Sequence, residues 1–91
     1  MNIDDWRSKI DEIDKRLVEL LNERFRCVIE IGKIKHDLNM RIYDPSRERE
    51  VIQRICQHNQ GPLDGQGLQR LFERVFDESR RIERMASESE K

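Results

Sequence analysis

Several polar side chains fall at positions that the surrounding apolar pattern reserves for an interior. Arg24 interrupts an otherwise apolar series of seam positions, and Lys35 directly follows the seam residue Ile34. Glu48 precedes Val51 and Ile52 by three and four residues. Ser79 and Glu83 share a stripe with Leu68, Leu71, Phe72, Val75, Phe76, Ile82 and Ala86. Residues three and four apart lie on one helix face. Each group alone has an ordinary explanation. Arg24 could set register against a glutamate, Lys35 could snorkel to solvent, Glu48 could favour a helix dipole, Ser79 could bond back to its own helix, and Glu83 could lie near a fraying end. Together they are harder to dismiss, because idle buried charge is expensive in a small protein. The chemistry they offer is capture of a small anion and stabilisation of negative charge as it develops. Cys27 and Cys56 lack CxxC spacing and read as free, buried thiols. His36 and His58 have no partner at ligand spacing, so neither a metal nor another cofactor is expected.

The elements that must position these groups are helices. Between Met1 and Met40 there is no proline, and the only glycine is Gly32. Asn2 can cap the start, and Asp4 and Asp5 suit the positive end of the dipole. Apolar residues then follow a heptad: Ile3, Ile10, Leu17, Ile31 and Leu38 at one seam position, Trp6, Ile13, Leu20, Cys27 and Ile34 at the other. The seam is an a/d pattern, broken only by Arg24 at an a position. A helix of roughly 37 residues would be about 55 Å long, far longer than so small a domain is wide. Residues 39–43 read as a connection. Asp44-Pro45 starts a second helix with Asp as cap and Pro as first helical residue, and Val51, Ile52, Ile55 and Cys56 form its inner stripe. Gly61-Pro62 ends it. A third helix follows, with a start weakened by Gly65 and Gly67 and a polar tail that frays after Met85.

Spacing constrains the site further. Arg24 and Lys35 are eleven residues apart, about 16 Å along the axis, so two long side chains can converge on one small ligand. Arg7 precedes Arg24 by seventeen residues, about 25 Å, and cannot reach that ligand on its own helix. In an antiparallel pair about a two-fold near Leu17 to Leu20, the second copy's Arg7 arrives between Arg24 and Lys35. A two-fold makes every contact twice, which yields two equivalent sites, each completed in trans. The expected fold is all-α: one long N-terminal helix and two shorter ones, in an intertwined homodimeric bundle.

Composition sets the outer bounds. Residues 1–91 suffice for one domain. Charged residues make up 41% and apolar ones 35%, so a partner surface is the natural supplement to a thin core. The net charge of −1 offers no global field for nucleic acid. The cations of SREREVIQR alternate with acids, as on a solvated helix face. No apolar run approaches membrane-spanning length, and the charged N-terminus is not a signal peptide; the cytoplasm is the expected location.

The chain resembles the all-helical chorismate mutases of the intertwined-dimer type, found alone or fused to other shikimate-pathway enzymes. The marks are Arg7 in WRSKIDEID, Arg24 in LLNERF, Gly32 and Lys35 in EIGKIK, Asp44, Arg47 and Glu48 in YDPSREREV, and Ser79 and Glu83 in DESRRIE. The resemblance covers essentially the whole chain and implies a Claisen rearrangement of chorismate to prephenate in Phe and Tyr biosynthesis. It implies that Arg24 and the partner's Arg7 bind the substrate carboxylates, and that Lys35 donates to the ether oxygen of the breaking bond. Glu48 would accept from the ring hydroxyl with the Asp44 backbone nearby, Arg47 would order this corner, and Ser79 would touch the ring carboxylate. Glu83 stands where some members have Gln, a neutral donor to the same ether oxygen. A carboxyl donates only when protonated, so activity is expected to fall as pH rises, and Glu83→Gln to flatten the profile.

The residues present suit that chemistry. A unimolecular rearrangement needs no nucleophile, metal or redox group. It needs a flexible dianion held in a reactive shape and donors aimed at the oxygen where charge grows. A rate gain of about 10⁶ corresponds to roughly 8 kcal/mol of differential transition-state binding. Two other functions fit parts of the pattern: isochorismate pyruvate-lyase, on the same cationic cleft, and a non-catalytic helical dimerisation or metabolite-binding module. A fusion to, or complex with, another enzyme of the pathway is compatible with all three.

Overall fold

Asn2 opens the first helix with a reciprocal cap. Its side chain accepts from the Asp5 amide at 2.9 Å, and the Asp5 carboxylate accepts from the Asn2 amide at 3.2 Å, which satisfies two otherwise orphaned donors. The computed structural model describes residues 1–89. Helix α1 then runs unbroken over Ile3–Asp37, two residues shorter than the expected length. It ends where Asn39 adopts φ 54°, a left-handed conformation that asparagine tolerates better than most residues. Lys35 and His36 occupy its last turn, where cations complement the dipole.

Helix α2 covers Pro45–His58, with Asp44 accepting from the Arg47 amide at 3.1 Å and Pro45 as the first helical residue. Helix α3 covers Gly65–Ser89. Its start is firmer than two glycines suggest, because Asp64 accepts from the Gly67 amide at 2.6 Å, a cap hidden one residue upstream of the glycines. The far end is firmer too. The helix continues past Met85, Ala86 is buried, and Ser87 Oγ lies 3.3 Å from His36 Nδ1. The expectation of a frayed tail is wrong over 86–89, because α1 extends far enough to pack against it.

Both α1 and α2 pack on α3, and not on one another. The closest approach is at Gly32, where a built Cβ would stand 2.8 Å from the Glu83 carbonyl oxygen and 3.2 Å from Ala86 Cβ. The absence of a side chain at Gly32 is therefore what sets the α1–α3 distance. Val28, Phe76 and Ala86 form the buried apolar core, and among the described residues no large side chain is fully buried. Leu71 is exposed, although its spacing suggested an inner position. Cys27 and Cys56 are free, as expected, but exposed rather than buried.

The heptad seam does not face this core. Every residue from Met1 to Leu20 is exposed, including Ile3, Trp6, Ile10, Ile13, Leu17 and Leu20, the last at 62%. The N-terminal half of α1 projects beyond α2 and α3, which gives the chain its 54 Å long axis. An amphipathic helix with its apolar stripe in water is incomplete as a folding unit.

Candidate active site

The gap between α1 and α2, floored by α3, is a cavity of about 410 Å³. Arg24 and Lys35 reach it from α1, three turns apart on one face. Asp44, Arg47 and Glu48 reach it from the first turn of α2, and Ser79 and Glu83 from successive turns of α3. Seven of the eight residues singled out in the sequence thus meet in one place. Arg7 does not: it sits in the exposed N-terminal half of α1 and is not part of the cavity wall.

Arg24 donates through Nη1 to Ser79 Oγ at 2.6 Å, and its guanidinium lies 6.0 Å from the centre of the Phe76 ring. Among the described residues it forms no ion pair. Burial, and next the charge of Arg47, push its pKa below the ordinary arginine value, while Glu83 and Cys27 act in the opposite sense. Arginine keeps its proton regardless, so the shift measures an under-compensated positive charge that an anion would relieve. Ser79 is 7% exposed and donates its own hydrogen to the Val75 carbonyl at 2.7 Å. The ordinary explanation for Ser79, a bond back to its own helix, therefore holds. Its oxygen orients Arg24, and it reaches a ligand only by releasing Val75.

Lys35 does not snorkel. Its ammonium lies 2.8 Å from Glu83 Oε1 and donates to the Ile42 carbonyl at 3.0 Å. Glu83, at 7% exposure, is among the most buried residues and nowhere near a frayed end. The contact with Lys35 is ionic rather than an aligned hydrogen bond, and Oε1 accepts no hydrogen bond from the protein. A buried acceptor without an aligned donor is costly. Arg47 Nη1 pairs with Glu50 at 3.2 Å, which holds it at the rim.

Arg80 was missing from the sequence reading, as was Tyr43. Arg80 lines the cavity, pairs with Glu48 Oε2 and Asp77 Oδ1, and lies 5.4 Å from the centre of the Tyr43 ring. The hydrogen bond with Glu48, above all, raises its pKa further. The available signal was faint: Arg80 follows Ser79, one step off the apolar stripe, inside a run of charges that looks solvated.

The chain as a whole matches a known family. The chorismate mutase type II profile matches residues 6–84. The chain belongs to the chorismate mutase type II family. It is 40% identical over 78 residues to a bifunctional chorismate mutase/prephenate dehydratase of Neisseria gonorrhoeae, covering 86% of this chain and 21% of that protein. It is 41% identical over 49 residues to a chorismate mutase of Methanocaldococcus jannaschii, covering 54% of this chain and 50% of that one. The chain spans about a fifth of the length of the bifunctional relatives it matches. Among solved structures, the chorismate mutase of Thermus thermophilus superposes with a TM-score of 0.88 at 33% identity, over 90% of this chain and 93% of that one. The chorismate mutase of Helicobacter pylori, solved in complex with prephenate, gives 0.86 at 32% identity, over 92% and 91%. These family relationships support the all-helical fold. Among the described residues no helix is long and apolar enough to cross a membrane, and no cluster of His, Cys, Asp and Glu could hold a metal ion.

Proposed function

We propose that this chain catalyses the rearrangement of chorismate to prephenate, as a homodimer with two equivalent sites. One observation carries the reading: Arg24, half-buried and without a carboxylate partner among the described residues, lines a cavity of small-molecule size together with Lys35, Glu48 and Glu83. A dianion entering that space relieves the uncompensated charge of Arg24. The partner subunit's Arg7 supplies the second cation, which the exposed seam on 1–20 would bring when it pairs with its copy. Clamping both carboxylates brings the two ends of the substrate within bonding distance.

Lys35 then donates to the ether oxygen as the C–O bond breaks, where charge is greater in the transition state than in the substrate. Glu83 takes part as the neutral acid, donating to the same oxygen. Glu48 accepts from the ring hydroxyl, with Asp44 and Arg47 holding the first turn of α2 in place. Ser79 orients Arg24 and contacts the ring carboxylate once it lets go of Val75. No cofactor takes part. The two free cysteines suit the reducing cytoplasm, and attachment to a prephenate-consuming domain, as in the bifunctional relatives, is compatible with the fold.

Purified protein should consume chorismate, followed by ultraviolet absorbance, with prephenate identified by chromatography. Pyruvate release from isochorismate without prephenate formation would replace this reading by the lyase. Absence of both would leave a binding module.

A further inference from the structure

Glu48 has two carboxylate oxygens and two claims upon them. Oε2 is taken by Arg80 Nη1, which leaves Oε1 for a ligand. Arg80 itself is held on three sides: by Glu48 from α2, by Asp77 from its own helix, and by the face of Tyr43 from the 39–43 connection. The same connection also delivers the Ile42 carbonyl to Lys35 at 3.0 Å. Arg80 therefore ties α3 to α2 and to the connection above the cavity, at a point where neither α1 nor the α1–α2 packing could do so, since those helices do not touch.

We infer that Arg80 is a positioning residue for Glu48: it fixes the carboxylate in one rotamer, with Oε1 directed at the hydroxyl of the bound substrate. This rests on the proposed reaction and adds a residue to it. A guanidinium suits the task, since its rigid fork serves two carboxylates at once while its plane rests on an aromatic ring. Lysine, a point charge on a flexible stem, would serve one carboxylate at a time. The hydroxyl keeps its own C–O and O–H bonds through the rearrangement, so the contact is made in bound substrate and transition state alike. Its loss therefore belongs in KM rather than kcat.

The test is steady-state kinetics on chorismate for wild type, Arg80→Met, Arg80→Lys, Glu48→Gln and the Arg80→Met/Glu48→Gln pair. Arg81→Met serves as control, its side chain pairing with Glu78 outside the cavity. Arg80→Met should raise KM about tenfold with kcat within about twofold of wild type, and Arg80→Lys should recover part of the loss. In the Glu48→Gln background the same change should raise KM by less than about twofold, since a residue that acts only through Glu48 has nothing left to act on. An unchanged KM, a loss confined to kcat, or full additivity of the two substitutions would overturn the assignment. A wild-type chain that makes no prephenate would sink the functional reading, and this assignment with it.

Discussion

Arg24 and Glu83 carry the strongest consequences at the scale of single residues. Arg24 is placed by Ser79 and Phe76 and has no counter-ion among the described residues, so removing it takes away a preorganised charge at little structural cost. Arg24→Ala should lower kcat/KM by about 10²-fold or more, with the helical circular dichroism spectrum and the unfolding midpoint no lower than in wild type. Retained turnover would place the anion site elsewhere. For Glu83 the question is the proton. Lys35 lies at 2.8 Å, an arrangement of opposite charges, whereas donation to an ether oxygen needs the neutral acid. Glu83→Gln, which donates at any pH, should therefore make prephenate at pH 8 at least as fast as wild type. A Gln variant much slower than wild type would remove Glu83 as the donor.

At the scale of elements, the decisive contact is between α1 and α3 at Gly32. A methyl group there meets backbone, the Glu83 carbonyl at 2.8 Å, and backbone does not rotate away as a side chain does. Gly32→Ala should cost about 1–3 kcal/mol of stability by overpacking, read by denaturant unfolding. Activity should fall further than stability, because the helix that moves carries both Ser79 and Glu83. Much of this level was legible beforehand. Helix existence, the caps Asn2 and Asp44, and the connection at 39–43 follow from local rules that depend on neighbours in sequence. Asp64 as the cap of α3 was local but masked by the two glycines that follow it. The rest of what escaped depends on neighbours in space: Ser87 against His36 requires knowing that α1 runs alongside the end of α3. Arg80 escaped for the same reason. Its partners Glu48 and Tyr43 come from other elements, and its own position among charges gives no hint of them.

At the scale of the whole molecule, the chain alone is unfinished. The first eighteen residues of α1 are exposed, the buried apolar core among the described residues is three side chains, and Arg7 is not among the residues that line the cavity. The heptad seam was readable in the sequence because periodicity survives without a partner. The depth of the cavity was not, because it depends on α1 and α2 both leaning on α3 without meeting. Pairing of two seams would bury Ile3, Trp6, Ile10, Ile13, Leu17 and Leu20 at about 1.5–3 kcal/mol for each large side chain fully covered. Sedimentation equilibrium should accordingly give twice the chain mass, and Leu17→Glu with Leu20→Glu should give monomers that make no prephenate.

The claim that each site is shared between two chains is tested most directly by subunit mixing. Arg7→Ala and Arg24→Ala chains, each inactive alone, are unfolded together in equal amounts and refolded. Random association makes half the dimers mixed, and each mixed dimer carries one site with both arginines and one with neither. The account predicts recovery of about a quarter of wild-type prephenate formation. Activity no greater than the sum of the two variants measured separately would contradict it, and would mean that Arg7 and Arg24 do not meet across a dimer.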